Sequence, residues 1–427
     1  TDIAYPGGIH LDWFTQGWHD YNSSLDQNML PERLKEQLGL LAKLMVKGVR
    51  PVDKDDDGTL LEGAVKAHEA NWNVREYALA IPCKDDVPEG AVPVEEFSPY
   101  SYAADLDASG TVIYSYSGWF DGAYHRAAMR RFLTLKNPQN RLIIGPWSHA
   151  GWYSCSPVNY GRPRFNHSAE LLKFFDHYLK GEDTGILREK RVHYFTMVEE
   201  QWKAADTWPP ASEKIKFYLR KDNRLAEAVP SAADGFDSYT VDYTHGTGKD
   251  TRWNTYLGGG IVIYPDRSEE DKKLLIYETE PLDRDTEVTG HPIVNLYVSS
   301  SADDGAFFVY FEDVAPDGTV TYISEGMLRA MHRKVSSETP PYYTIVPYHS
   351  YKQKDVMKLV PGEVTKLTFD ILPTSYLFKK GNRIRVAIAG ADKDYFALIP
   401  EEPPTIRVFR DKKHASHIVV PVISREE

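Results

Sequence analysis

The sequence predicts part of a parallel, helix-covered β-sheet, with a helical region before it and an all-β region after it. Three observations carry this reading. Between about residues 106 and 205, short apolar strands alternate with amphipathic helices, which implies a parallel sheet covered on both faces. Before that stretch the apolar spacing is helical. After it come many short β-type runs separated by Gly, Pro and Asp turns, the pattern of a sandwich or jelly roll. The 427 residues therefore divide into regions 1–105, 106–205 and 206–427, in line with the two or three domains expected for this length.

In the first region, Pro31–Arg50 reads as an amphipathic helix. Pro31 suits a first turn, and Leu34, Leu38, Leu41 and Met45 recur at helical spacing. Leu60–Asn73 reads as a second helix, with an acidic loop between the two. In the middle region the predicted order is strand Thr111–Ser117, helix Gly122–Leu135, strand Arg141–Trp147, helix His167–Gly181 and strand Arg191–Val198. So few strands make only part of a sheet, whose open side would expose apolar faces and an unpaired edge. A linker, Thr207–Glu213, leads into the β-rich remainder.

Bulk properties narrow the function. Hydrophobic residues are 42% and charged residues 26%, as in soluble globular proteins. The net charge of −12, with no Lys/Arg block, argues against nucleic acid or an anionic membrane as partner. No apolar run approaches the length of a membrane span. Cys83 and Cys155 have no metal-type spacing and leave the cellular compartment open. The chain opens "TDIAYPGGIH", with neither an initiator Met nor a signal-like segment. The expectation is that sequence upstream of Thr1 is missing.

The chemistry centres on two residues. Ligands of open α/β sheets bind beyond the carboxyl ends of the strands. Asp121 follows the end of one predicted strand in "YSYSGWFDG", and His149 follows the end of the next in "GPWSH". Acid then histidine, on consecutive strand ends with a helix between, matches the last two members of the α/β-hydrolase order Ser, Asp, His. The histidine would take the nucleophile's proton, and the carboxylate would fix its tautomer and stabilise the imidazolium. Taken singly, the aspartate reads as a helix N-cap and the histidine as a packing residue; only the pair, in order, points to catalysis. The nucleophile is not apparent. No Gly is followed two positions later by Ser, so the G-x-S-x-G elbow is absent. Ser115, Ser117, Ser148 and Cys155 lie in the wrong places, and the fold puts its nucleophile before the acid.

Several segments resemble a known family: "AYPGGI", "AHEANWN", "SGWFDG", "NPQNRLIIGPWSH", "FFDHYLKGEDTG" and "EEQWKAADTWPP". The family is that of cocaine esterase, α-amino-acid ester hydrolase and glutaryl-cephalosporin acylase, related to X-prolyl dipeptidyl peptidases. The resemblance covers nearly the whole chain. It implies an α/β hydrolase, here the C-terminal part of the catalytic sheet with a helical cap (Tyr5 to about Pro99), plus a C-terminal all-β jelly roll. It implies a Ser-Asp-His triad with Asp121 as acid and His149 as base. The serine and the oxyanion-hole tyrosine would lie on a preceding segment, so this chain alone is expected to be nearly inactive. The implied substrate is a small ester or amide; ester, β-lactam amide and X-Pro peptide all stay open, as does a homo-oligomer.

Two further features complete the reading. Aromatic residues near the acid and base, Trp147 and Trp152, and at the start of the cap, Trp13 and Phe14, could line a substrate pocket or belong to the core. "DKDDDGTLLEGA" matches the opening of a calcium loop, with Asp53, Asp55, Asp57, Thr59 and Glu62 as ligands. Its twelfth position is Ala64, which removes the usual bidentate glutamate; the other reading is a solvated acidic loop. No cofactor is required by the chemistry. The class opposed to the hydrolase is a non-catalytic protein, either a degenerate hydrolase or a jelly-roll binding module.

Overall fold

The computed structural model describes residues 3–32, 34–35, 39, 49–52, 54–162, 164–258 and 260–424. The predicted helix Pro31–Arg50 falls largely outside them. The first region is helical with loops: α1 (Asp12–Asp26), α2 (Thr59–His68), α3 (Val74–Leu79) and α4 (Ala103–Ala108). The second predicted helix ends at His68, five residues earlier than its apolar pattern suggested. Asn73 is free to begin another helix, its side chain accepting the N–H groups of Arg75 and Glu76.

The middle region holds a four-stranded sheet of β1 (Tyr114–Gly118), β2 (Arg141–Gly145), β5 (Val192–Thr196) and β6 (Gln201–Ala205), in that order. A small hairpin, β3 (Ser154–Ser156) and β4 (Asn159–Gly161), rises after β2. The first three strands of the sheet are parallel and β6 is antiparallel. Helices α5 (Tyr124–Thr134) and α6 (His167–Lys180) provide the crossovers. The strand β6 went unpredicted because its turn gives no sequence signal: Val198 and Glu200 both adopt positive φ, where Gly, Asn or Asp would be expected. Among the described residues β1 has no neighbour on its outer edge. Leu172, Phe175 and Leu179 of α6 form an exposed apolar stripe.

The last region is β-rich. Thirteen strands, from β7 (Glu213–Arg220) to β19 (His417–Val422), join in one hydrogen-bonded system that is almost wholly antiparallel. Strand β13 (Ala306–Val314) is buried along its whole length. It pairs on both sides, with β14 (Val320–Arg329) and β17 (Arg383–Ala389), so Ala306–Phe311 reads as one apolar run rather than as an alternation. The two sheets are stitched together. Met197, just past β5, bridges Tyr376, and Thr196 bonds Ser375 through their hydroxyls at 2.9 Å. Arg126 of α5 forms a buried ion pair with Asp370 at 3.1 Å. No helix among the described residues is long and apolar enough to cross a membrane.

Candidate active site

Strands β1 and β2 end in register, Gly118 opposite Gly145. Both glycines are needed there. A Cβ on Gly118 would lie 2.2 Å from the Trp147 carbonyl oxygen, and one on Gly145 would lie 2.4 Å from the Trp147 ring. The two loops that follow are tied to each other by backbone bonds: Trp119 N–H donates to Gly145 O at 2.9 Å and Phe120 N–H to Trp147 O at 3.0 Å. These bonds bring Asp121 and His149 together. His149 Nδ1 lies 2.8 Å from Asp121 Oδ1. With a carboxylate as partner, Nδ1 carries the proton and Nε2 keeps its lone pair. Among the described residues nothing bonds Nε2, and the histidine side chain is 41% exposed. Asp121 is buried. Its hydrogen bond raises the His149 pKa above the ordinary value, against a smaller opposing effect of burial.

The acid's loop is clamped from the β-rich region. Ala123 N–H donates to the Tyr256 hydroxyl at 2.8 Å, and Arg252 donates to Gly122 O at 3.4 Å. Gly122 has φ +48°, and a Cβ there would meet the Tyr256 ring at 2.0 Å. Behind the clamp, buried Glu325 accepts hydrogen bonds from Trp253 Nε1 at 2.8 Å and the Tyr322 hydroxyl at 2.9 Å, with Arg252 Nε 3.9 Å away. An aromatic ladder leads from the site to α1: His149 to Tyr124 (5.8 Å between centroids), Tyr124 to Tyr256 (4.9 Å), Tyr256 to Phe14 (5.5 Å). The clamp has no sequence signal, because "TRWNTYL" lies some 130 residues from the loop it holds and contains no motif that names a partner.

The histidine's loop is held locally. Ala150 and Gly151 turn at positive φ, and Ser148 N–H donates to Tyr153 O at 3.2 Å. Trp147 bridges Ser154 of β3. Glu200, on the unpredicted turn, accepts from Ser156 and, at 3.1 Å, from Asn159, and so anchors the hairpin to the sheet.

The four aromatic residues read as pocket candidates separate. Trp147 is only 1% exposed and packs with Tyr116, Phe165, His167 and Trp202. It is a core residue, and its pocket assignment is corrected: Gly145, having no Cβ, leaves room for the buried ring. Trp152 is 63% exposed. Trp13 lines an open cleft of about 800 Å³ between α1 and the loops holding Asn254 and Asp394. Phe14 instead lines a mostly apolar cavity of about 290 Å³ with Tyr77, Cys83 and His332. The two neighbours in sequence thus face different spaces.

The acidic loop behaves as a cap. Both oxygens of Asp55 accept backbone N–H groups at 2.9 Å, from Leu60 and Leu61 at the start of α2. Asp57 accepts from the N–H and hydroxyl of Thr59, and Glu62 sits in the helix's first turn. Asp53 lies outside the described residues. Asp55, Asp57 and Glu62 do not converge on a common point; among the described residues the one group of three convergent donors is Cys83, Asp85 and Asp86. Of the other nucleophile candidates, Ser115 accepts from Arg131, Ser117 lies 3.5 Å from the acid itself, and burial pushes the Cys155 thiol up to about 11.

A family model for X-Pro dipeptidyl-peptidase (S15 family) matches residues 1–151. A second, for the X-Pro dipeptidyl-peptidase C-terminal non-catalytic domain, matches residues 184–419. A Mycobacterium tuberculosis protein provisionally named a serine esterase is 50% identical over 444 residues, covering 99% of this chain and 70% of that protein. The chain belongs to the X-Pro dipeptidyl-peptidase-like serine hydrolases. Cocaine esterase of Rhodococcus sp. is 28% identical over 353 residues, covering 72% of this chain and 56% of the enzyme. Among solved structures, a CocE/NonD family hydrolase from Staphylococcus aureus superposes with a TM-score of 0.62 at 17% identity, over 99% of this chain and 65% of that one. An α-amino-acid ester hydrolase gives 0.62 at 19% identity, over 84% and 62%. The family membership expected from the sequence therefore stands, as does an α/β-hydrolase region followed by a β-rich one.

Proposed function

We propose that this chain supplies the acid and the base of a Ser-Asp-His triad for hydrolysis of a small ester or amide, and that the serine comes from a segment outside these 427 residues. The observation that carries the reading is the Asp121–His149 pair at 2.8 Å. The imidazole is held in the tautomer a general base needs, and among the described residues Nε2 has no hydrogen-bond partner. The serine hydroxyl would give its proton to Nε2 as it attacks the carbonyl carbon. His149 would then return that proton to the leaving alcohol or amine. Water repeats the sequence on the acyl-enzyme, with Asp121 stabilising the imidazolium each time.

Three features support an outside nucleophile. The sequence holds no G-x-S-x-G elbow. The bare edge of β1 and the apolar stripe of α6 suit a further strand and helix. The chain spans 70% of its mycobacterial relative. In this reading residues 1–105 form the cap and 206–427 a jelly-roll sandwich. Fluorophosphonate labelling, read by intact mass on every polypeptide present, tests it. The chain alone should stay unlabelled and hydrolyse esters at a negligible rate. A protein that also carries an elbow-bearing N-terminal segment should be labelled on that segment. Label on any serine of residues 1–427 would overturn the assignment.

A further inference from the structure

We infer that the cavity enclosed by α5, residues 84–106 and the loop 342–351 is a second binding site, separate from the Asp121–His149 pair, for a small carboxylate with an apolar ring. On α5, Ala127, Arg130, Arg131 and Thr134 follow helical spacing and share one face. The opposite face, with Ala128, Met129 and Phe132, is buried in the core. A helix face with two arginines ordinarily meets water. Here it is roofed instead by Leu106 and by Tyr100, Tyr342 and Tyr348.

The volume of this partly open cavity is about 160 Å³, close to that of an apolar cavity able to hold benzene. The size therefore fits one ring. The charge fits an anion. Lys84, Arg130 and Arg131 line the cavity and no carboxylate does, although the chain as a whole is acidic. Lys84 already has Glu95 at 3.1 Å and the Tyr100 hydroxyl. Arg130 lies over the Tyr342 ring at 4.8 Å.

Arg131 is the decisive group. Its Nε donates to Ser115 Oγ at 3.1 Å. Among the described residues its two terminal nitrogens have no acceptor and no carboxylate pairs with it. Burial lowers its pKa, with no opposing acid. A half-buried guanidinium without a counter-ion is costly, and a carboxylate presents the two oxygens its planar fork accepts. The tyrosine walls would hold the ring. Arg131 lies seven residues beyond Tyr124 on the same helix, roughly 10 Å along its axis, so the cavity and the catalytic pair are different places.

Titration calorimetry on the full chain, with benzoate and the isosteric neutral benzamide as probes, tests the site. Benzoate should bind saturably with a Kd of about 1 mM, a normal value for so small a ligand, and benzamide about tenfold or more weaker. Arg131→Met should erase that preference. Leu106→Trp, which fills the cavity from another element, should abolish binding of both. Asp121→Asn should leave benzoate binding unchanged, so failure here is distinct from failure of the hydrolase reading. Equal binding of the two probes, no saturation by 20 mM (about 20-fold above the expected Kd), unchanged preference in Arg131→Met, or loss of binding in Asp121→Asn would each overturn the inference.

Discussion

The two halves of the proposed catalytic pair are held by different means. Asp121 sits in a buried loop clamped from the β-rich region through Tyr256 and Arg252. His149 sits in a half-exposed loop held by its own turn and by the buried ring of Trp147. The acid thus depends on residues far away in the sequence, and the base on its neighbours. A buried carboxylate must be fixed, because its hydrogen bond sets the imidazole's tautomer. The imidazole must keep one nitrogen open to a nucleophile and a leaving group, which a fully packed loop would close. The difference in anchoring matches the different tasks proposed for the two residues.

Breaking the pair itself should have the largest effect. In a protein that includes its nucleophile, Asp121→Asn should lower kcat by roughly 10⁴-fold, because the amide can stabilise the wrong tautomer and cannot stabilise the imidazolium. Steady-state kinetics with a chromogenic ester measures this. The same variant should shift the pH profile. His149 must be neutral to act as base, and its pKa is raised by Asp121, so kcat/KM should fall as pH drops through a value above 6.5. Without the carboxylate that limb should move to lower pH. Stability follows the opposite sense. The stabilisation of protonated His149 by Asp121 is fully present below the unfolded pKa and is lost as pH rises through the raised one. An unmoved acid limb in Asp121→Asn would mean that another group controls it.

Next in size is the histidine's anchor. Trp147→Ala removes a fully buried ring stacked on Tyr116 at 5.5 Å and should cost about 3–5 kcal/mol, read as a lower midpoint in denaturant unfolding. A loss under about 1 kcal/mol would show that the loop collapses onto the space. The acid's anchor comes third. Tyr256→Phe leaves the Ala123 N–H without its acceptor and should cost about 1–3 kcal/mol. Because that N–H is two residues from Asp121, kcat should fall while KM holds. If kcat is unchanged, the clamp serves folding and not the position of the acid.

How far the sequence revealed this arrangement depended on distance along the chain. The strand–helix alternation, and with it Asp121 and His149 on neighbouring strand ends, is written in local periodicity. The five middle elements were placed within a few residues. Part of what was not legible was non-local. Tyr256 and Arg252 reach the acid's loop from the far region, and no pattern in "TRWNTYL" says so. Strand β6 was hidden because Val198 and Glu200 take positive φ without a glycine. The acidic loop's capping role was not legible for a related reason. Asp55 lies where an ion ligand would, but its carboxylate turns to the N-terminus of α2, a choice that depends on where the helix starts. Trp147 and Trp152 looked alike in sequence, but Trp147 is buried with Gly145 beneath its ring and Trp152 is exposed.

That last contrast gives the smallest predicted effect. Trp152 lies three residues after His149 and is 63% exposed, so it contributes little burial in the folded chain. Trp152→Ala should change stability by no more than about 0.5 kcal/mol, which is close to the resolution of a denaturation curve. Its consequence should appear with substrate instead. If the exposed ring flanks the leaving group, its loss removes contact made equally in the ground and transition states, so KM should rise while kcat stays constant. A fall in kcat at constant KM would mean that the ring positions the imidazole, and would move Trp152 from the substrate's side of the site to the histidine's. A fall in stability comparable to that of Trp147→Ala would show that the loop after His149 is packed in solution, and that the looseness attributed to the base's side of the pair is wrong.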